Sequence, residues 1–237
     1  MDANSSPPRA GGRGGRTSGT AGAVWLRGPR TYRDSTLTSD RIIAEAIVLL
    51  DGEGAGRLTM RRLAEHLGVG PTTLYWHVKT KDDVIDLAVD AIFDEVSLPE
   101  PSSRWDDDVR ALVLQWRATM LRHPWAAGLL GRPLLGPNVL ERTEFLQATL
   151  RRAGFEGPVL AAATHGLANY VIGSAATQST WQHLATPELQ QSADAHVRAH
   201  ADLYPTLAVT HHLGEHDWDD LFRRGLEFML AGLGSPA

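Results

Sequence analysis

The sequence predicts an all-α fold: a three-helix helix-turn-helix head followed by a helical bundle. Three observations lead there. Apolar residues recur at three- and four-residue spacing from Thr38 to the C-terminal region. No stretch shows sustained two-residue alternation bounded by turn signals, so no sheet is expected. Gly and Pro clusters cut the periodic sequence into helix-sized pieces. The sharpest cut is at 98–103, where Pro99 and Pro101 separate a head over residues 38–97 from a body over residues 104–237.

Residues 1–37 differ from the rest. They are rich in Gly, Ser, Thr and Pro and hold Arg9, Arg13, Arg16, Arg27, Arg30 and Arg33 against Asp2 and Asp34. Such a segment has too little apolar surface to order itself, and a disordered arm is expected. The arm is either a passive tail or an arginine arm lying in a DNA minor groove.

The first helix is expected from Thr38 or Ser39 to Asp51, with Ile42, Ile43, Ala46, Ile47 and Leu50 as its apolar stripe. Gly52, Gly54 and Gly56 make the following loop. In the second helix Thr59 is the N-cap, Leu63, Ala64 and Leu67 face inward, and Gly68 ends it. Pro71 suits the first position of a third helix, 71–78, in which Leu74 and Val78 face inward and Thr72, Thr73, Tyr75 and His77 do not. Trp76 is expected to pack in the head. A fourth helix begins at Lys81 or Asp82, with Val84, Ile85, Ala88, Ile92 and Val96 as its stripe. Body helices are expected at about 105–122, 125–130, 137–153, 158–181, 187–201 and 216–233, with a mobile loop at 202–215.

Charge is distributed unevenly. Residues 57–81 hold Arg57, Arg61, Arg62, Lys79 and Lys81 against Glu65, a local balance of +4, whereas the whole chain is −5. A basic patch on an acidic protein points to local phosphate contact. The run Leu-Thr-x-x-x-Leu-Ala-x-x-Leu-Gly-Val from Leu58, followed by Thr-Leu-Tyr-Trp-His-Val-Lys-x-Lys from Thr73, resembles the DNA-binding head of the tetracycline-repressor (TetR) family. In the body Trp105, Arg110, Gly131-Arg132-Pro133, Gly154-Phe155 and Gly225-Leu226-Glu227 are similar to counterparts in the tetracycline repressors.

The resemblance implies roles. Arg61 aligns with a base-contacting arginine whose planar fork suits guanine. Thr73 would meet a thymine methyl or a phosphate, and Thr72 lies beside it at the start of the recognition helix. Tyr75 and His77 would touch phosphate and sugar, and Thr59 and Lys81 would hold phosphates. Pro71 stands about where the tetracycline repressors read a base with glutamine, so a different operator is expected. The small-residue helix near 158–181 and the apolar helix near 216–233 would pair with their copies in a homodimer, placing two heads on a near-palindromic operator.

A small-molecule effector that releases double-stranded DNA is also implied, but not tetracycline with magnesium. Ser97 replaces a ring-contacting histidine, Leu112 a ligand-binding asparagine, and Leu129 falls near a lost metal-binding histidine, while Trp116 keeps an aromatic. With Asn169 these five are the candidate ligand contacts, and they suggest a largely apolar or aromatic effector. The rival expectation is a DNA-binding regulator or architectural protein with no effector.

Composition fits a cytoplasmic regulator. The chain has 237 residues, 43% hydrophobic and 22% charged, with no cysteine, which excludes disulfides and thiolate chemistry. No run of 18 apolar residues and no secretory h-region occurs, so no membrane partner is expected. Gly68-Val69-Gly70 lacks the third glycine and preceding strand of a dinucleotide loop, and no Walker loop, nucleophile elbow or HExxH is present, so no enzyme is expected. His196 and His200, four apart, and the nearby His211, His212 and His216 are expected to be structural or solvated, with no metal and no cofactor.

Overall fold

A computed structural model describes residues 21–27, 37–210, 213 and 216–234. Among them run eleven helices and no strand: α1 (Ser39–Glu53), α2 (Met60–Leu67), α3 (Pro71–His77), α4 (Lys81–Phe93), α5 (Trp105–Arg122), α6 (Pro124–Ala127), α7 (Pro137–Arg152), α8 (Gly157–Leu184), α9 (Pro187–Ala199), α10 (Pro205–Thr210) and α11 (Trp218–Leu233). The expected boundaries hold within a few residues, apart from two elements. The loop expected over 202–215 contains α10, which Pro205 starts and an Ala208 N–H to Tyr204 carbonyl bond (3.0 Å) closes. The third helix stops at His77, because Val78 is extended (φ −126°, ψ 136°) and turns inward as a cap.

In the head α1 packs on α2 and α4. Thr38 caps α1 by accepting the Arg41 N–H (3.2 Å), and Ile42, Ala46, Leu49 and Leu50 are buried. Thr80 and Asp83 form a reciprocal capping box that starts α4.

Helix α4 belongs to both domains. Its apolar face is the expected one, but Asp83, Asp86 and Asp90 are buried too, each 4% exposed or less. The Asp86 carboxylate accepts the Gly22 N–H (2.6 Å), and the Arg132 guanidinium lies 3.4 Å from it. The Asp90 carboxylate accepts the Val139 N–H (3.0 Å) and an Asn138 side-chain N–H (3.2 Å). At the far end Arg142 donates to the Val96 and Asp94 carbonyls (3.0 and 3.3 Å), satisfying groups that a helix end leaves open.

The expectation of disorder through residue 37 fails over 21–27. These residues form turns, with Arg27 paired to Asp83 and Gly22 seated between Asp86 and the Pro133 carbonyl. The reason is electrostatic: α4 offers buried carboxylates that need donors. The rest of the expected arm lies outside the described residues.

The body is built on α5 packed against α7 and α8, with α11 on α8. Phe93 meets Trp116 edge-on (5.5 Å), and Trp105 meets Phe155 likewise (5.4 Å). Buried Arg117 of α5 reaches Gln178 on α8, the Trp218 carbonyl (3.2 Å) and Asp219 (2.7 Å), tying three helices together. Arg110 holds Glu227 bidentately (2.7 and 3.0 Å), which lowers the Glu227 carboxyl and raises the guanidinium. Tyr170 stacks on Phe222 at 5.0 Å and donates to its carbonyl (2.8 Å). Any Cβ at Gly225 would overlap the Tyr170 hydroxyl, so the glycine sets the closeness of α8 and α11.

Head meets body beside α6. Asp51 Oδ1 accepts the Trp125 indole N–H (2.6 Å) and meets His123 Nδ1 (2.8 Å), while His123 Nε2 meets Glu95 (3.1 Å). The buried His123 ring thus joins the ends of α1 and α4.

Two outcomes are expected. Gly225→Ala should destabilise the protein by about 1–3 kcal/mol in urea denaturation, as overpacking does. Because the Glu227 pKa is depressed, its ion pair contributes fully above the ordinary glutamate value and is lost as pH falls through the lowered one. Glu227→Gln should therefore flatten the acid limb of stability against pH, by no more than about 1 kcal/mol for so exposed a pair.

Candidate nucleic-acid interface

The head presents its polar face because of how α2 and α3 are pinned. Thr59 caps α2 by accepting the Arg62 N–H (3.2 Å), and Leu63, Ala64 and Leu67 are buried. Gly68 takes the left-handed conformation (φ 68°) and returns its N–H to α2, so the chain turns within three residues. Gly70 is extended, Pro71 opens α3, and Leu74 and Val78 are sealed in the core. With those two anchors inside, Thr72, Thr73, Tyr75 and Trp76 are left exposed, and His77 is half-buried.

Trp76 is the correction here. It is 56% exposed rather than packed in the head. It stands two residues from Leu74, roughly 200° around the helix, which is the solvent side. Its ring lies under the Lys79 ammonium (5.9 Å to the centroid), and Lys79 also donates to the Tyr75 carbonyl (2.9 Å).

Four cations around this face are already engaged. Arg61, its side chain 84% exposed, pairs with Glu65 (2.8 Å), which raises the guanidinium pKa. Arg62 pairs with Glu53 (2.6 Å), and the Lys81 ammonium donates to the Ala55 carbonyl (2.7 Å). Thr59 and Lys81 open α2 and α4 and so flank α3 on both sides.

The candidate ligand contacts differ in burial. Leu112 is 1% exposed in the core, and Trp116 and Leu129 are half-buried against it. Ser97, just past α4, and Asn169, on the outer side of α8, are exposed. None of the five lines the groove between α8 and α9 or the cleft where head meets body. Trp116 keeps a buried indole N–H without a hydrogen-bond partner among the described residues.

The histidines have local explanations. The His200 ring meets the His196 carbonyl (2.8 Å), and His216 lies edge-on to Trp218 (5.7 Å). His211 and His212 lie outside the described residues. Among the described residues no three His, Cys, Asp or Glu side chains gather as a metal site, and no helix is long and apolar enough to cross a membrane.

Comparison with known proteins agrees with this geometry. Residues 42–88 match the family described as bacterial regulatory proteins, tetR family, and residues 98–235 match the tetracyclin repressor-like C-terminal domain. An HTH-type transcriptional regulator of Saccharopolyspora erythraea is 43% identical over 93% of this chain and 95% of its own length. The tetracycline repressor protein class E of Escherichia coli is 29% identical, covering 70% of this chain and 84% of its own. Among solved structures, ActR of Streptomyces coelicolor in complex with (S)-DNPA superposes with a TM-score of 0.75 at 32% identity, over 85% of this chain and 100% of that one. With a turn of this geometry in the head and both family domains matched, the chain is a member of the TetR family of non-enzymatic bacterial transcriptional regulators.

Proposed function

We propose that this regulator binds a near-palindromic operator as a homodimer and represses until a small, largely apolar or aromatic effector releases it. The observation that supports this best is the solvent-facing side of α3: Thr72, Thr73, Tyr75 and Trp76 beside Arg61, Lys79 and Lys81, on a head whose Leu63, Leu67, Leu74 and Val78 are turned inward. Arg61 is the candidate base reader. Thr59 and Lys81 anchor phosphates, and Thr73, Tyr75 and His77 set the register.

Pairing is supported by apolar surface that the single chain leaves uncovered. On α11 Phe228 is 76% exposed and Leu221 48%, and on α8 Val159 is 57% exposed. Two copies joined there would present two α3 helices about one DNA turn apart, roughly 34–36 Å. The effector is supported by analogy with ActR, which has been solved with both actinorhodin and (S)-DNPA. A preferential grip on the DNA-incompetent arrangement would shift the population away from the operator.

Three measurements test the reading. Arg61→Ala should cost about 1–3 kcal/mol of operator binding and relax one base position, whereas Lys81→Ala should weaken all sequences alike and reduce the salt slope by about one. Phe228→Glu should give a monomer by analytical ultracentrifugation whose operator affinity is down at least about tenfold, since two linked half-site contacts become one. Removing residues 1–20 should lower affinity and flatten its salt dependence if the arginines there contact DNA. Unchanged binding would leave the arm without that role.

A further inference from the structure

A cleft of about 620 Å³ opens where head meets body. Its three walls are residues 50–55 of the head, helix α6, and the C-terminal half of α8. The volume suits a small organic molecule, for which pockets run roughly 300–1,000 Å³. Through Ala176, Thr180 and Leu184 it shares a wall with a more apolar groove of about 650 Å³ between α8 and α9.

The lining has a definite chemistry. Leu50, Pro124, Trp125 and Ala127 make it largely apolar, and no lysine or arginine contributes. Asp51 and Glu53 bring two carboxylates, which disfavour an anion. Ser179, Thr180 and His183 add hydrogen-bonding groups on the facing wall. Asp51 uses only Oδ1 to hold Trp125 and His123, and its Oδ2 makes no hydrogen bond to any described residue. A carboxylate oxygen left open beside an apolar wall is complementary to a hydroxyl or amine.

We propose that this cleft is a binding site for a flat, mainly apolar molecule that is neutral or cationic and carries a hydrogen-bond donor, and that its occupation moves the head wall against the body. The wall is mechanically connected: Ala55 holds the Lys81 ammonium, Glu53 holds Arg62, and Asp51 holds the head to His123 and Trp125. A ligand engaging Asp51 or prising residues 50–55 from α6 therefore displaces the anchors of two head cations. The inference rests on the effector reading and gives it a place and a ligand chemistry distinct from Leu112 and Trp116.

The chain contains no cysteine, so Ser179→Cys puts a single thiol in the cleft, with Ser103→Cys, on the exposed interdomain segment, as the reference. The full-length proteins are treated with benzyl methanethiosulfonate and with its 4-aminomethyl and 4-carboxy analogues. Each adduct is compared with its own unlabelled protein for operator affinity. At 179 the neutral and amine reagents should react faster than the carboxylate by about tenfold or more once divided by the rates at 103. Their adducts should weaken operator binding by roughly 5–150-fold, with none at 103 doing so. Equal rates for all three charges, or adducts that bind operator unchanged, overturn the proposal. Labelling that is blocked in the dimer and restored by Phe228→Glu overturns it as well, because a second copy then fills the cleft. If an effector still releases operator from the labelled Ser179→Cys protein but fails on Trp116→Phe, the effector reading stands and the cleft does not.

Discussion

Three aspartates on one side of α4 constrain everything on either side of that helix. Asp83 starts the helix and holds Arg27, Asp86 receives the Gly22 N–H, and Asp90 receives the Val139 N–H. Apolar packing alone lets a helix slide or roll at modest cost, whereas bonds to particular N–H groups fix its rotation and register. Burial pushes the Asp86 and Asp90 carboxyls above the ordinary range, against the pull of those same bonds and of Arg132 and Arg142. A raised carboxyl pKa favours the fold below the ordinary aspartate value, and that contribution is lost as pH rises through the raised one. Near neutrality the charged stripe is therefore held in place at a cost, and the helix shared by head and body is fixed in position without being deeply stable there.

The body shows where the family likeness resides. Each motif similar to the tetracycline repressors has a structural task. Gly225 admits Tyr170, Leu226 is core and Glu227 grips Arg110. Arg132 reaches Asp82 (2.9 Å) and Asp86, and the Pro133 carbonyl lies against Gly22. Gly154, at φ 98°, turns the chain so that Phe155 can bury itself on Trp105. None of these residues lines the cleft between head and body.

What could be read in the sequence follows the distance over which each residue is determined. The second and third helices depend on neighbours within a turn or two: Thr59 caps, Gly68 takes a positive φ, Pro71 starts, Leu74 and Val78 anchor. Those features were legible. Asp86 and Asp90 of α4 were not, because their partners lie 64 and 49 residues away in sequence and nothing local marks a buried carboxylate. Trp76 was misplaced, although its angle from Leu74 already pointed outward. The exposure of Leu112 and Asn169 was not legible for a similar reason. Family register supplied their positions, but the packing of α5 on α8 decides which side chain is sealed and which faces water.

The pairings of the resting head bear on how it moves through a genome. Glu65, Glu53 and two backbone carbonyls already occupy Arg61, Arg62, Lys79 and Lys81. On the proposed reading, each contact these cations make with DNA displaces an internal partner instead of filling an empty position. A correct site supplies enough simultaneous contacts to make every exchange worthwhile, but a random stretch does not. Internal acceptors thus act as competitors that every non-cognate sequence has to beat. On that reading they would shorten the time spent on the roughly 10⁶–10⁹ wrong sites that a genome offers.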